Sequence, residues 1–389
     1  MPVDFYWRMA MEGDQPSLRR KGSASRGGFV PDTAGALAPG IRDGRPDGYS
    51  HIDYLGEVAR ATETSGFVGA LLPSFPHTDD PWAAAAALAR ETGTYRFMIA
   101  FQPGFLHPVQ AARMTASLQL ATGGRTVYNI VSGGGGPQQL WWGDKVDHDD
   151  RYTRTSEFLD VLKGVWHADG SYDYKGRFYQ VEGGGLPASL AGQPFPEIFF
   201  SGSSKAAIEA AGRHADYYLS WLEPLPALAA KFDQVREHSA GIGRTPKFAV
   251  RLDVLARETE EEAWEEIRRG WAQPGPAATP AFIGLGDSVG WRRGQDLAAD
   301  GNGAGEDDAH RVPEVSPNVW GGFHVLRAGP VFGLVGDYRQ VAARLDELIG
   351  LGVEAFVLGG VPHLEEAYRV GAHVLPLLRG GVVAQEPLR

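Results

Sequence analysis

The chain reads as an α/β protein, a (β/α)8 TIM barrel with insertions. Three observations predict this. Short apolar runs alternate with helix-period segments nearly throughout the 389 residues, eight of each. No shift in composition marks a domain boundary. The chain also exceeds the ~250 residues of a plain barrel, so the excess must lie in insertions. We expect one domain over 1–389, with insertions at about 13–48, 166–196 and 272–334.

Taken in order, strands are expected at 3–9, 68–73 and 97–101, followed by helices at 49–64, 81–92 and 108–121. The first insertion separates the first strand from its helix and is rich in Gly, Arg, Ser and Pro. The fourth strand, 126–131, is a short run of β-branched and aromatic residues. It opens into Ser132, four consecutive glycines and Pro137. The next helix is expected over 151–164, with Asp150 as N-cap and Phe158, Val161, Leu162 and Val165 on one face. In the second insertion, SYDYKGRFYQVEGG has the pattern of a β-hairpin turning at Lys175 and Gly176. Strands at 197–201, 217–221 and 248–256 then alternate with helices at 204–214, 224–239 and 258–271. The third insertion is rich in Gly, Pro and Asp, and a connection of that length reads as a lid. The last helix, 338–351, has Asp337 as cap and Gln340 completing a capping box. Val341, Leu345, Leu348 and Ile349 share its face, Gly350 and Gly352 end it, and a strand at 355–358 follows.

Hydrophobic residues make up 43% of the chain, enough for a sizeable core. The formal charge of -11 argues against a nucleic-acid groove, which needs a basic stripe. Without cysteine there is no disulfide, thiol nucleophile or thiolate metal site. The eleven histidines show no metal-ligand spacing, and no metal is expected. The N-terminal MPVDFYWRMAMEGD lacks the regions of a signal peptide, and no apolar run approaches the ~20 residues that span a bilayer. A cytoplasmic protein without membrane partners is the expectation.

Barrel active sites lie at the C-terminal ends of the strands, so polar residues there are the candidates. The fifth strand runs into Ser201, Gly202, Ser203 and Ser204, where a helix starts. Hydroxyls and free N–H groups at a helix N-terminus suit a phosphate, although taken alone Ser203 or Ser204 reads more readily as a plain N-cap. With Arg151 and Tyr152 opening another helix and Ser132 in a glycine-rich turn, phosphate binding is favoured. The first strand is followed by no GxGxxG, there is no GxxxxGK[ST], and no serine-hydrolase elbow is present. Arg251 and Asp253 share one strand face, as a polar site or as an ion pair filling a barrel layer. Trp221 ends the sixth strand and either walls a flat ligand or packs. His148 follows a Trp-rich loop and reads equally as a flavin or substrate contact or as a surface histidine. Arg327 closes the third insertion, and Tyr368 lies in PHLEEAYRVG beyond the last strand.

Several long stretches carry a resemblance: FQPGFLHPVQAARMTASLQLATGGRTVYNIVSG, DHDDRYTRTSEF, PEIFFSGSSKAAIEAAGRHADYYLSWLEP, SPNVWGG and FVLGGVPHLEEAYRVG. Together they resemble the luciferase-like flavin monooxygenases, most nearly the two-component alkanesulfonate monooxygenases. The resemblance implies a homodimer or homotetramer that takes FMNH2 from a separate NAD(P)H:FMN reductase and uses O2. It implies oxidation of a small organosulfonate through a flavin peroxide, with C–S cleavage to an aldehyde and sulfite. Asn129, Ser132, Arg151, Tyr152, Ser203 and Ser204 would then hold FMN. Arg251, Arg327 and Tyr368 match the family's catalytic arginine, lid arginine and active-site tyrosine, and Trp221 a pocket tryptophan. Three positions depart from the pattern: Glu12 and Asp253 replace histidines, and Thr78 replaces a cysteine. A carboxylate beside a sulfonate costs on the order of 1–4 kcal/mol at ~4 Å, enough to redirect specificity. A neutral or cationic sulfur or nitrogen compound is therefore the alternative substrate. A flavin-storage protein and a deazaflavin dehydrogenase on the same barrel are further readings.

Overall fold

Period-two alternation divides each barrel strand between the lumen and the surrounding helices. The strands are β1 (Asp4–Arg8), β2 (Gly69–Leu72), β3 (Arg96–Phe101), β4 (Thr126–Ile130), β5 (Ile198–Ser201), β6 (Tyr217–Trp221), β7 (Lys247–Arg257) and β8 (Val353–Gly359). Each pairs in parallel with the next, and β8 also pairs with β1, which closes the barrel. This computed structural model describes residues 3–9, 11, 13–14, 50–75, 78–135, 137–271, 287–299, 314–326 and 329–379. Among them, no helix is long and apolar enough to cross a membrane.

The alternation produces two cores. Tyr6, Met98, Val127, Phe199, Leu219 and Val357 belong to the smaller one, which fills the lumen. Phe5, Trp7, Phe97, Ile99, Tyr128 and Phe200, their strand neighbours, point outward into the larger core beneath the helices. Charge seals the N-terminal end of the lumen. Arg96 donates to the Tyr6 hydroxyl at 2.9 Å and to Glu197 at 2.5 Å. The C-terminal end is left for the site.

The helices of eight residues or more are α1 (His51–Thr64), α2 (Pro81–Leu88), α3 (Pro108–Thr122), α4 (His148–His167), α5 (Lys205–His214), α6 (Leu225–Ala240), α7 (Glu260–Trp271), α8 (Val289–Ala299), α9 (Tyr338–Gly350) and α10 (His363–His373). Helix α9 starts as its sequence dictates. Asp337 accepts from the Gln340 amide at 2.8 Å, and the Gln340 side chain accepts from the Asp337 amide at 2.8 Å.

Four features differ from the sequence expectation. Helix α4 begins at His148, not Arg151, so the Arg151 amide already donates to Asp147 at 2.9 Å. Asp150 is thus no N-cap: it lies in the first turn and takes a bidentate contact from Arg177 at 2.6 and 2.7 Å. The hairpin of Tyr172–Lys175 and Gln180–Gly184 turns over 176–179, with the Gly176 amide donating to Tyr179, rather than at Lys175 and Gly176. Helices α8 and α10 were not expected; the N-cap of α10 is Pro362, with no side-chain hydrogen bond to announce it. In the third insertion, Gly333–Asp337 pairs with β7 beyond Arg251, where β6 has ended, and carries Val319–Trp320 and Glu314–Ser316 on its other edge. The surplus length of β7 makes that extension possible. The first insertion lies largely outside the described residues, as do 272–286 and 300–313 of the third. The apolar segment 82–88 turns Trp82, Ala84, Ala85 and Leu88 into the chain's own core, leaving alanines outward.

Candidate active site

The C-terminal ends of the strands surround a cavity of about 290 Å³. Its walls follow the lumen alternation, and the top of the apolar core forms part of them. Arg8 comes from β1, Ala100 and Gln102 from β3 and its exit, Asn129 and Val131 from β4 and its exit. Ser201, Leu219, Trp221 and Arg251 complete the ring from β5, β6 and β7. Phe105 and Trp142, stacked with centroids 5.1 Å apart, stand at the rim.

Hydroxyl groups gather on one side. Ser132, Tyr152, Ser201, Ser203 and Ser204 all line the cavity. Ser132 Oγ is 3.0 Å from Thr155 Oγ1. Ser204 caps α5, accepting from the Ala207 amide at 3.2 Å, so the capping role and the cavity-lining role coexist. Burial pushes the Tyr152 phenol up, against a hydrogen bond with Ser204 that pulls it down. Gly202 has φ of +148° and no room for a side chain: a Cβ there would meet Ala207 Cβ at 2.4 Å and the Tyr152 hydroxyl at 3.1 Å. This lets backbone and hydroxyls converge, as a phosphate cradle requires.

The charged groups around the cavity are paired. Arg251 and Asp253 are 5% and 1% exposed and meet at 2.8 Å. Arg251 reaches the cavity wall; Asp253 is among the residues behind it. Glu223 and Lys231, both buried, form a close ion pair at the wall, and Lys231 also donates to Ser220 at 3.2 Å. Burial lowers the Lys231 ammonium, opposed by Glu223. Arg293, on α8, donates to the two Glu223 oxygens at 3.2 and 3.1 Å and so ties α8 to the cavity wall. Among the described residues no cluster of His, Asp and Glu could hold a metal.

The family model of the luciferase-like monooxygenases matches residues 33–355. The chain belongs to the luciferase-like monooxygenase family. Its fold is similar to that of several solved structures. The EDTA monooxygenase from Chelativorans sp. BNC1 has a TM-score of 0.73 at 17% identity, covering 98% of this chain and 94% of that one. A long-chain alkane monooxygenase has a TM-score of 0.73 at 19% identity, covering 99% and 93%. A riboflavin lyase, solved with modified FMN and riboflavin, has a TM-score of 0.71 at 20% identity, covering 100% and 94%.

In this luciferase-like monooxygenase the predicted site residues divide. Asn129, Ser132, Tyr152, Ser203, Ser204, Trp221, His148 and Arg251 meet around one cavity. His148 contacts Asp149 at 2.7 Å and packs edge-on to Tyr152 at 5.3 Å. Arg151 is buried just behind the hydroxyl wall, paired with Asp287 at 3.0 Å. Thr78 is not in the cavity wall; its hydroxyl is spent on the Phe75 amide and carbonyl, both at 3.1 Å. Tyr368 is 52% exposed on α10, because that helix buries His363, Glu366, Ala367 and Val370 instead. Glu12 and Arg327 lie outside the described residues.

Sequence reasoning missed Gln102, Glu223, Lys231, Asp287 and Arg8. Gln102 and Glu223 stand just past strands, where the rule of barrel sites already pointed. Lys231 lies two turns into α6 and Asp287 inside a Gly- and Pro-rich insertion, with no local signal for either.

Proposed function

We propose that this protein is an FMNH2- and O2-dependent monooxygenase that oxidises a small organosulfonate, using flavin delivered by a separate NAD(P)H:FMN reductase. The observation that carries the flavin part is the convergence of Ser132, Tyr152, Ser203 and Ser204 beside a largely apolar cavity at the barrel mouth. A phosphate accepts from hydroxyls and amide N–H groups; Leu71, Ala100, Val131 and Leu219 offer an aromatic ring system apolar walls. Bound reduced flavin supplies the two electrons that activate oxygen. Asn129 orients the ligand from the floor, and Trp221 walls its face. Phe105 and Trp142 cover the rim and exclude water. Arg251 lines the cavity and would hold an anionic substrate, with the Asp253 carboxylate 2.8 Å from its guanidinium. The overall reaction converts sulfonate, O2 and FMNH2 into aldehyde, bisulfite, FMN and water.

One observation favours a second substrate class. The Arg251–Asp253 pair is neutral as a unit, which weakens its pull on a sulfonate and would suit a neutral or cationic sulfur or nitrogen compound. The variant Asp253→Asn separates the two. Removing the carboxylate should lower KM for a sulfonate by roughly tenfold, the ~1.4 kcal/mol of a nearby like charge. A raised KM for a cationic substrate, with none of this gain on sulfonates, would establish the second class. Anaerobic titration tests the cofactor: FMNH2 should bind more tightly than reduced riboflavin, and equal affinities would remove the phosphate cradle from the account.

A further inference from the structure

Arg151 is an arginine with an unusual set of partners. It is 3% exposed. Nη1 donates to the Val146 carbonyl at 3.0 Å and Nη2 to Asp287 Oδ2 at 3.0 Å, while buried Nε has no acceptor among the described residues. Asp287 comes from far along the chain and is half exposed, yet it is fastened to the glycine-rich turn after β4. Its amide donates to the Gly134 carbonyl at 2.6 Å. Its carboxylate fills the space beside Gly135, where a Cβ would stand 2.2 Å from Oδ2. The next residues lead straight into α8, with Ser288 capping the Trp291 amide at 3.1 Å and Arg293 on Glu223. Asp287 and Ser288 line the same cavity as Ser132 and Tyr152.

We infer that Asp287 is a specificity-determining residue of the anion site, a built-in competitor whose carboxylate holds Arg151 and the 133–135 turn until a phosphate monoester displaces it. This rests on the flavin reading above. A phosphate carries about -1.5 to -2 charges and three acceptor oxygens, so it outbids one carboxylate for a buried guanidinium. Uncharged riboflavin has nothing to exchange for Asp287 and leaves the contact in place. The exchange is cheap because Asp287 has solvent to retreat into. It also links ligand charge to the position of α8, which follows Asp287 directly.

The test compares the full chain with Asp287→Asn, a change of charge without change of size at a half-exposed position. FMN should bind the variant about fivefold more tightly, equivalent to ~1 kcal/mol for an ion pair with one exposed partner. Riboflavin affinity should stay the same. Unchanged or weakened FMN binding, or equal tightening of both ligands, overturns the competition. Amide hydrogen exchange over 287–293 reads the contact without flavin. It should quicken roughly threefold in the variant, and in the unsubstituted protein when inorganic phosphate is added. Failure of both proteins to bind FMN, with the exchange differences present, defeats the flavin reading alone; absence of the exchange differences defeats the Asp287 contact itself.

Discussion

The Tyr152 hydroxyl illustrates what one residue contributes. It is nearly buried, bonded to Ser204 and 3.1 Å from where a Gly202 side chain would begin. If it donates to the flavin phosphate, Tyr152→Phe removes a charge-assisted hydrogen bond of ~1.5–3 kcal/mol. FMN affinity should then fall at least about tenfold while riboflavin affinity barely moves; equal losses in a binding titration would make Tyr152 a packing residue. His214 shows a different residue-scale effect. Burial, then Lys163, Arg213 and Arg244, push its imidazole down to about 3, so it is neutral in the folded protein, where it hydrogen bonds Ser156 at 2.7 Å. The unfolded chain protonates the same ring near its ordinary value of about 6.5. Between those values the unfolded state holds the extra proton, so stability falls as pH falls, by about 1.4 kcal/mol per unit. Denaturant midpoints of His214→Gln should decline less steeply from pH 6.5 to 4 than those of the unsubstituted protein; parallel curves would contradict this. The sequence marked Ser132 because it follows a strand, Tyr152 because it was expected to open a helix, and Arg251 because it shares a strand face with Asp253. It misplaced Tyr368 because a tyrosine in a familiar motif does not say which face of its helix is buried.

At the scale of elements, β5 and α5 meet in a turn that leaves no space for a side chain. Gly202→Ala would force a residue with a Cβ into φ of +148° and against Ala207. Such backbone strain costs on the order of 1–3 kcal/mol. The expected result is a lower urea midpoint together with weakened FMN binding, and a variant as stable and as tight as the parent would show that the turn relaxes freely. Elements with strong local signals were legible. The α9 capping box, the apolar β4 run and the Pro-initiated helices α2 and α3 fall within a few residues of their expected positions. Helix α4 was entered too late because Asp147, Asp149 and Asp150 are all plausible first-turn residues, and tertiary contacts choose among them. The strand Gly333–Asp337 was unreadable for a related reason: it exists where β6 stops short of the end of β7, a property of two distant segments.

At the scale of the molecule, closure of the barrel places the exits of β1 to β7 around one cavity. It thereby assembles residues from Arg8 to Pro330 that no local window could connect. The alternation that puts Tyr6, Met98, Val127 and Phe199 in the lumen core also directs Arg8, Asn129 and Ser201 to the layer above. This is why the barrel and the hydroxyl side of the site could be read from strand ends. The pairing of Arg251 with Asp253 was legible from their shared strand face; those of Lys231 with Glu223 and of Arg151 with Asp287 were not, because only the folded chain brings these partners together. The most direct measurement is substrate-dependent sulfite release with FMN, NADH, O2 and a general flavin reductase. It should cover linear alkanesulfonates alongside neutral and cationic sulfur and nitrogen compounds. Sulfite can be followed with a disulfide reagent, since the chain has no cysteine. Sulfite and aldehyde in equal amounts, dependent on both FMN and O2, is the predicted result; no oxygenated product from any compound in the panel would contradict the account.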